Sequence, residues 1–406
     1  MLLGMFSYSC KAGSPDSATS YEIRIPADDH RVAVVTASLV PTDTAFYMFP
    51  GANQLPKRWA TFVSDFRIHD EDGQVIPVSA SDDGTWQLAS MPRGRVTVSY
   101  RVTLDHEAHD WSGGVDGAAY WRERGVFYTA RSLFVVNGDD RKDIAVAFQL
   151  PDQWRVTAPW QQAGEDATRF VVPDHDVLAS SMLFAGTHKE VTVRRGPFQS
   201  LLALGGEEVL ALQDVFTDMA EGVLDYYVDL MGDVPRLGSQ SSNGKPVVII
   251  NQADTTDGEA IGNNISIMLQ PSGGAMSQHI TRLLFAHEFF HLWNGKSFWP
   301  SGEDGEWFKE GFSNYYTLKA LHHIGYLSDE SYLELPRELL VTTLRHHQKC
   351  FSLQTESREL MPAFVAVANT DRDPGSHIRR GNEWVIGGRL EDARFFWGED
   401  RKRKLA

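Results

Sequence analysis

Between residues 21 and about 192, apolar and polar positions alternate in short runs such as 31–39, 96–104 and 144–150, broken by Asp-Gly, Pro and Gly signals. A period of two puts one face of a strand on a core and the other toward water. This predicts an N-terminal domain of antiparallel strands, a sandwich or saddle whose core takes most of Trp59, Trp111, Trp121 and Trp154. Gly196-Pro197 marks the expected boundary, and beyond it the period changes. Val209, Leu212, Val215, Met219, Val223 and Leu224 recur at helical spacing, predicting one amphipathic helix over 207–231. The apolar runs 245–250 and 265–269 read as buried strands, with a polar, glycine-containing loop over 254–264 between them. A helix is predicted over 277–294, with Ser277 as N-cap and Gly295 as stop. A further one over 307–321 carries Phe308, Phe312, Tyr315, Tyr316 and Leu318 on one face.

The first of these two helices holds His287-Glu288-Phe289-Phe290-His291. A spacing of four returns nearly to the same face, so His287 and His291 can offer two imidazole nitrogens to one ion, with the Glu288 carboxylate beside them. A zinc ion lowers the pKa of a bound water to roughly 7, and a carboxylate in that place can take the proton. With 14 histidines in 406 residues, the string arises by chance only on the order of a few hundredths of a time, which weighs against a pair of packed core histidines. Eighteen residues lie between His291 and Glu310, which sits in the second helix as the candidate third ligand. Three protein ligands leave one zinc position open, as catalytic sites require. Asn294 is a candidate partner for a ligating histidine or a helix cap, and Glu303, Asp304 and Glu306 read as solvated acids.

The run His287-Glu288-Phe289-Phe290-His291-Leu292-Trp293-Asn294, followed by Glu310-Gly311-Phe312-Ser313-Asn314-Tyr315-Tyr316, resembles the gluzincin metallopeptidases. It is similar in particular to the glycyl aminopeptidase family, whose members often carry a PDZ domain. The stretches 150–154 and 174–186 resemble the end of that family's N-terminal β domain, so the likeness covers roughly 21–330. It implies a thermolysin-like catalytic domain, a peptide or protein substrate, and an edge strand just ahead of the zinc helix that pairs with extended substrate.

Two departures stand out. The family carries Gly-Gly-Leu-Glu-His before the zinc helix, and its glutamate holds the substrate's free amino group. Setting Ser266 on the family's serine puts Gly262 where that glutamate belongs. Glu259 takes the role only if the strand is shifted or bulged, and otherwise is an exposed turn residue after Asp257-Gly258. Glu259 and Asn263 are the candidate substrate-binding residues. The clan also places a tyrosine well beyond the third ligand to donate to the oxyanion. Tyr326 and Tyr332 lie close to the ligand helix and suit packing, leaving His377 as the later side chain with suitable chemistry.

Composition narrows the partners. A formal charge of −16 disfavours nucleic acid, since phosphate binding needs a basic surface. No apolar run is long enough for a membrane-spanning helix. Cys10 and Cys350 supply neither a disulfide framework nor a thiolate zinc site, so the metal must be held by nitrogen and oxygen. The apolar start ahead of Ser9-Cys10 resembles the end of a bacterial lipoprotein signal but lacks a positive n-region. Either a lipid anchor at Cys10 places the protein in the cell envelope or periplasm, or residues 1–20 are a leader and the protein is cytoplasmic.

The sequence thus predicts an α+β multidomain protein: a leader over 1–20, an antiparallel β domain over 21–195, a thermolysin-like, mainly helical zinc peptidase domain over 196–350, and a divergent or truncated segment over 351–406. An aminopeptidase is implied by the resemblance alone. An endopeptidase, which needs no anchor for a free amine, and a zinc-binding pseudoenzyme that has lost turnover are the alternatives.

Overall fold

A computed structural model describes residues 19–109, 111, 117–139, 141–237, 245–298 and 305–332. Cys10, Glu303, Asp304, Cys350, His377 and the segment 351–406 lie outside them. The chain divides into two compact units, Met1–Phe298 and Trp299–Ala406.

The first unit opens with the expected β domain, its first strand beginning at Thr19, inside the predicted leader. The main sheet has eight strands in the order Gln161–Gln162, Arg169–Asp174, Lys142–Gln149, Thr19–Arg24, Val32–Leu39, Val96–Thr103, Val63–His69 and Val75–Ile76. Its neighbours are antiparallel except for Thr19–Arg24 beside Lys142–Gln149, which run parallel. Two four-stranded sheets complete the domain. Alternation did set the faces: in Val96–Thr103 the residues Val96, Val98, Tyr100 and Val102 are buried, joining Tyr21, Ile23, Val35, Phe46, Trp59 and Phe134 in one core. Two buried hydroxyls are satisfied across that core, Tyr21 donating to the Val135 carbonyl at 2.9 Å and Tyr100 to that of Leu133 at 3.1 Å.

Two histidines are locked neutral in this unit. His106 stacks on Phe62 with ring centroids 3.7 Å apart, its Nε2 donates to the Thr103 carbonyl at 2.9 Å, and its Nδ1 accepts from the Ala119 amide at 2.8 Å. Burial pushes it down to about 3. His188 is lowered to about 3, by burial first and by the nearby Arg155 charge second. Both folded values lie below the ordinary 6.5, so above about pH 6.5 neither affects stability, and below it only the unfolded chain gains protons. Stability should therefore fall by about 1.4 kcal/mol per pH unit for each histidine as pH drops from 6.5. Urea midpoints measured between pH 7 and 5 check this, and a flat profile contradicts it.

Beyond residue 187 the described part is a five-stranded mixed sheet with helices; a thermolysin-like, mainly helical domain is not seen among the described residues. Gly196-Pro197 turns a hairpin, Arg195 pairing with Phe198, instead of ending a domain. The sheet order is Lys189–Arg195, Phe198–Gly205, Val247–Gln252, Asn264–Leu269 and Asp257–Ile261. The two inner pairings are parallel, and the outer ones antiparallel. Asn264–Leu269 is buried at every position, as an interior strand covered on both faces should be. It is therefore not the edge strand that the sequence suggested. The edge is Asp257–Ile261, inside the stretch expected to be a loop. Gly262 and Asn263 make the tight turn between the two strands, with Gly262 at φ 59°.

The predicted helix over 207–231 breaks at Leu212 into Glu207–Ala211 and Gln213–Met231. Phe216, Met219, Val223, Leu224 and Tyr227 form the buried stripe of the longer one, and Gly232 at φ 73° ends it. The histidine helix runs Gly274–Phe290. It begins before Ser277, which is not the cap but a buried first-turn residue bonded to the Thr256 hydroxyl. Tyr227 donates to the Ala286 carbonyl at 3.0 Å and joins the two helices.

The β domain runs directly into this sheet. Met182 and Phe184, with Tyr120 and Phe127, pack against Val247, Ile249, Ile261 and Met268. Glycines set the closeness of this seam: a Cβ on Gly205 would lie 2.7 Å from the Phe184 ring, and one on Gly262 would lie 2.6 Å from the Ser180 carbonyl. Among the described residues no helix is long and apolar enough to cross a membrane. In the second unit, Gly305–His323 is one helix with Leu318, Ala320 and Leu321 buried, and Tyr332 packs on His322 with ring centroids 4.7 Å apart.

Candidate metal centre

Phe285, Ala286, Phe289 and Phe290 turn one side of the histidine helix into the core. The opposite side presents His287, Glu288 and His291, whose ligand atoms all lie within 4.8 Å of one another. The two Nε2 atoms are 3.0 Å apart, and the ring planes stand at 87°. Rings so arranged converge on one point. Two nitrogens at ~2.0–2.1 Å from one tetrahedral ion are about 3.3 Å apart, so little movement would admit a metal.

The protonation state also fits. His291 Nδ1 lies 3.0 Å from the Asn294 carbonyl oxygen. A carbonyl only accepts, so Nδ1 carries the proton and Nε2 keeps its lone pair, aimed at His287 Nε2. A metal ligand needs that tautomer. Asn294 thus supports the histidine through its main chain, where its side chain was the expected partner. Two imidazoles and a carboxylate, without thiolates, suit an ion that accepts nitrogen and oxygen donors.

Glu310 lies on the helix Gly305–His323 of the second compact unit, its carboxylate 3.1 Å from Lys309 Nζ. The described geometry of the centre accordingly consists of His287, Glu288 and His291.

Glu259 is not an exposed turn residue. It stands on the edge strand opposite Ser266, half-buried, and accepts a hydrogen bond from the Gly117 amide at 2.5 Å. Gly262 occupies the turn between the two strands. A Cβ on Gly258 would meet Leu284 of the histidine helix at 3.2 Å. Alternation then turns Glu259 toward the β domain, beside Tyr120, whose phenol burial raises. Asn263 is the second residue of the turn. Asn264, which sequence reasoning passed over, donates to the Ser180 carbonyl at 2.9 Å and ties the turn to the β domain. Gly117 gave no signal either, because its role comes from a backbone amide.

Comparison with known proteins divides the chain. Residues 20–187 match the Peptidase M61 N-terminal domain. Residues 324–406 match the glycyl-tRNA synthetase beta subunit, beginning ahead of the divergence expected at 351. Curated relatives of that second stretch include the glycine–tRNA ligase beta subunits of Syntrophotalea carbinolica, 47% identical over 77 residues, and Halalkalibacterium halodurans, 46% identical over 77. Each match covers 19% of this chain and 11% of the relative, so the chain spans about a tenth of their length. Among solved structures, an aminopeptidase N family protein from Idiomarina loihiensis is similar with a TM-score of 0.62 at 18% identity. The likeness covers 78% of this chain and 57% of that one, and is one of fold. The N-terminal β domain is therefore similar to that of a peptidase family, and the fold is similar to that of an aminopeptidase N family protein.

Proposed function

We propose that this chain is a zinc-dependent peptidase that removes residues from the free amino terminus of peptides. The observation that carries the reading is the convergence of His287 and His291 on one point, with the His291 tautomer fixed by a backbone carbonyl and Glu288 alongside. His287, His291 and Glu310 are the ligands in this reading. A zinc ion held there would supply Lewis acidity toward a scissile carbonyl and would acidify a water beside it. Glu288 takes the proton of that water and delivers it to the leaving amine. Among the described residues Asp257–Ile261 is the last strand of its sheet, and an extended peptide can add beside it as a further strand.

Action on free amino termini is favoured by what meets that strand at Glu259. The Gly117 amide on Glu259 brings β-domain backbone there, leaving little room for a peptide to run on. The Glu259 carboxylate is also suited to a terminal ammonium. One observation favours the second reading, a metal-binding protein without turnover: the stretch from 324 onward is similar to a ligase subunit, and it is where a late oxyanion donor such as His377 would have to lie.

The test is digestion of a mixed peptide library, half of it N-acetylated, by zinc-loaded protein. Release of single residues from free peptides alone supports the aminopeptidase. Internal cleavage of both halves would make it an endopeptidase, and no cleavage with one zinc bound per chain would favour the second reading.

A further inference from the structure

After Phe290 the chain folds back tightly over 291–298. Gly295 sits at φ 116°, a conformation that side chains disfavour, and its amide donates to the Phe298 carbonyl at 2.9 Å. The amides of Ser297 and Phe298 both reach the Trp293 carbonyl, at 3.1 and 3.0 Å, and Asn294 bridges to Phe298. The turn is also held from outside. Ser297 Oγ donates to the Leu292 carbonyl at 2.7 Å and accepts from the Arg236 amide at 2.6 Å. Trp293 Nε1 donates to the Asp233 carbonyl at 3.0 Å, and Asp233 pairs with Arg236 at 2.9 Å. A segment some sixty residues earlier in the chain thus grips both ends of the turn. What the turn presents inward is the Asn294 carbonyl, 3.0 Å from His291 Nδ1.

We propose that Ser297 is a positioning residue for the metal centre: with the 233–236 segment it holds the Asn294 carbonyl against His291, fixing the ring's orientation and tautomer before any metal arrives. The idea rests on the metallopeptidase reading for its consequence but not for its geometry. An imidazole without that acceptor can rotate about its broad χ2 well or carry its proton on Nε2, and neither form binds. Apparent affinity falls with the fraction of competent rings. Removing the hydroxyl also leaves the Arg236 amide without its partner, which loosens the grip on the turn.

The experiment uses the full chain, with Ser297→Ala, Ser297→Thr and Trp293→Phe beside the wild type. Zinc affinity is read by competition with a chromophoric chelator, and the metal-free His291 tautomer by 15N imidazole shifts. Ser297→Ala should weaken zinc binding roughly tenfold, at the lower end of what partners of ligating histidines contribute. It should also mix the His291 tautomers, while Ser297→Thr, which keeps the hydroxyl, recovers both. Trp293→Phe should shift both readouts in the same direction, and serves if the alanine variant folds poorly. Equal zinc affinity and a single Nδ1–H tautomer in Ser297→Ala would overturn the proposal, as would a threonine variant no better than alanine. If the wild type holds the Nδ1–H tautomer through Ser297 yet takes up no zinc, the peptidase reading fails and the positioning role stands.

Discussion

Glu288→Gln should lower kcat/KM for peptide hydrolysis by roughly 10²- to 10⁴-fold, the usual worth of a general base, while zinc uptake stays at one ion per chain. The amide has the shape of the carboxylate but takes no proton from water. Glu288 is half-buried on the same helix face as the two histidines and within 4.8 Å of their ligand atoms, close enough to act on a water held between them. Its neighbours on the core side are Phe285 and Phe289, untouched by the change, so the variant should melt as the wild type does. Steady-state kinetics with metal analysis of the same samples checks this. Retention of more than a tenth of the activity would place the base elsewhere.

His291→Ala should abolish useful metal binding. Zinc sites with four protein ligands are worth ~10–16 kcal/mol, so one ligand accounts for about 3–4 kcal/mol, or roughly 10²- to 10³-fold in affinity. The loss should lie toward the upper end, because the alanine also discards the ring that the 291–298 turn prepares. Glu310→Gln provides the comparison: a drop of similar size makes Glu310 the third ligand, and unchanged affinity removes it from the set. Chelator competition on all three chains gives both answers.

The longer strands of the main β sheet were legible where they alternate with a period of two, as 31–39 does in becoming Val32–Leu39. The long helix was legible as a stripe, though not its break at Leu212, which no proline or glycine marks. The edge strand was missed for a physical reason. Asp257-Gly258-Glu259-Ala260 has neither apolar alternation nor β-branched residues, and it is extended because Asn264–Leu269 offers it a row of backbone partners. That error carried over to Glu259, which local composition assigned to a turn. Four-residue spacing and helix geometry were enough to bring His287 and His291 together. The Asn294 carbonyl, the Ser297 hydroxyl and the Gly117 amide were invisible because their roles arise from main-chain direction and long-range closure.

The glycine-lined seam in the first unit bears on how such a chain can be taken apart. A fragment starting at Lys189 would uncover Val247, Ile249, Ile261 and Met268 together, an apolar sheet face that water does not tolerate and that would drive self-association. Even a methyl group at Gly262 would push the Ser180 carbonyl away and begin to part the halves. The seam draws on residues from Tyr120 to Met268, so a splice beyond the β domain that spares it has to fall after Met268. The stretch similar to a ligase subunit begins at 324, on the permitted side.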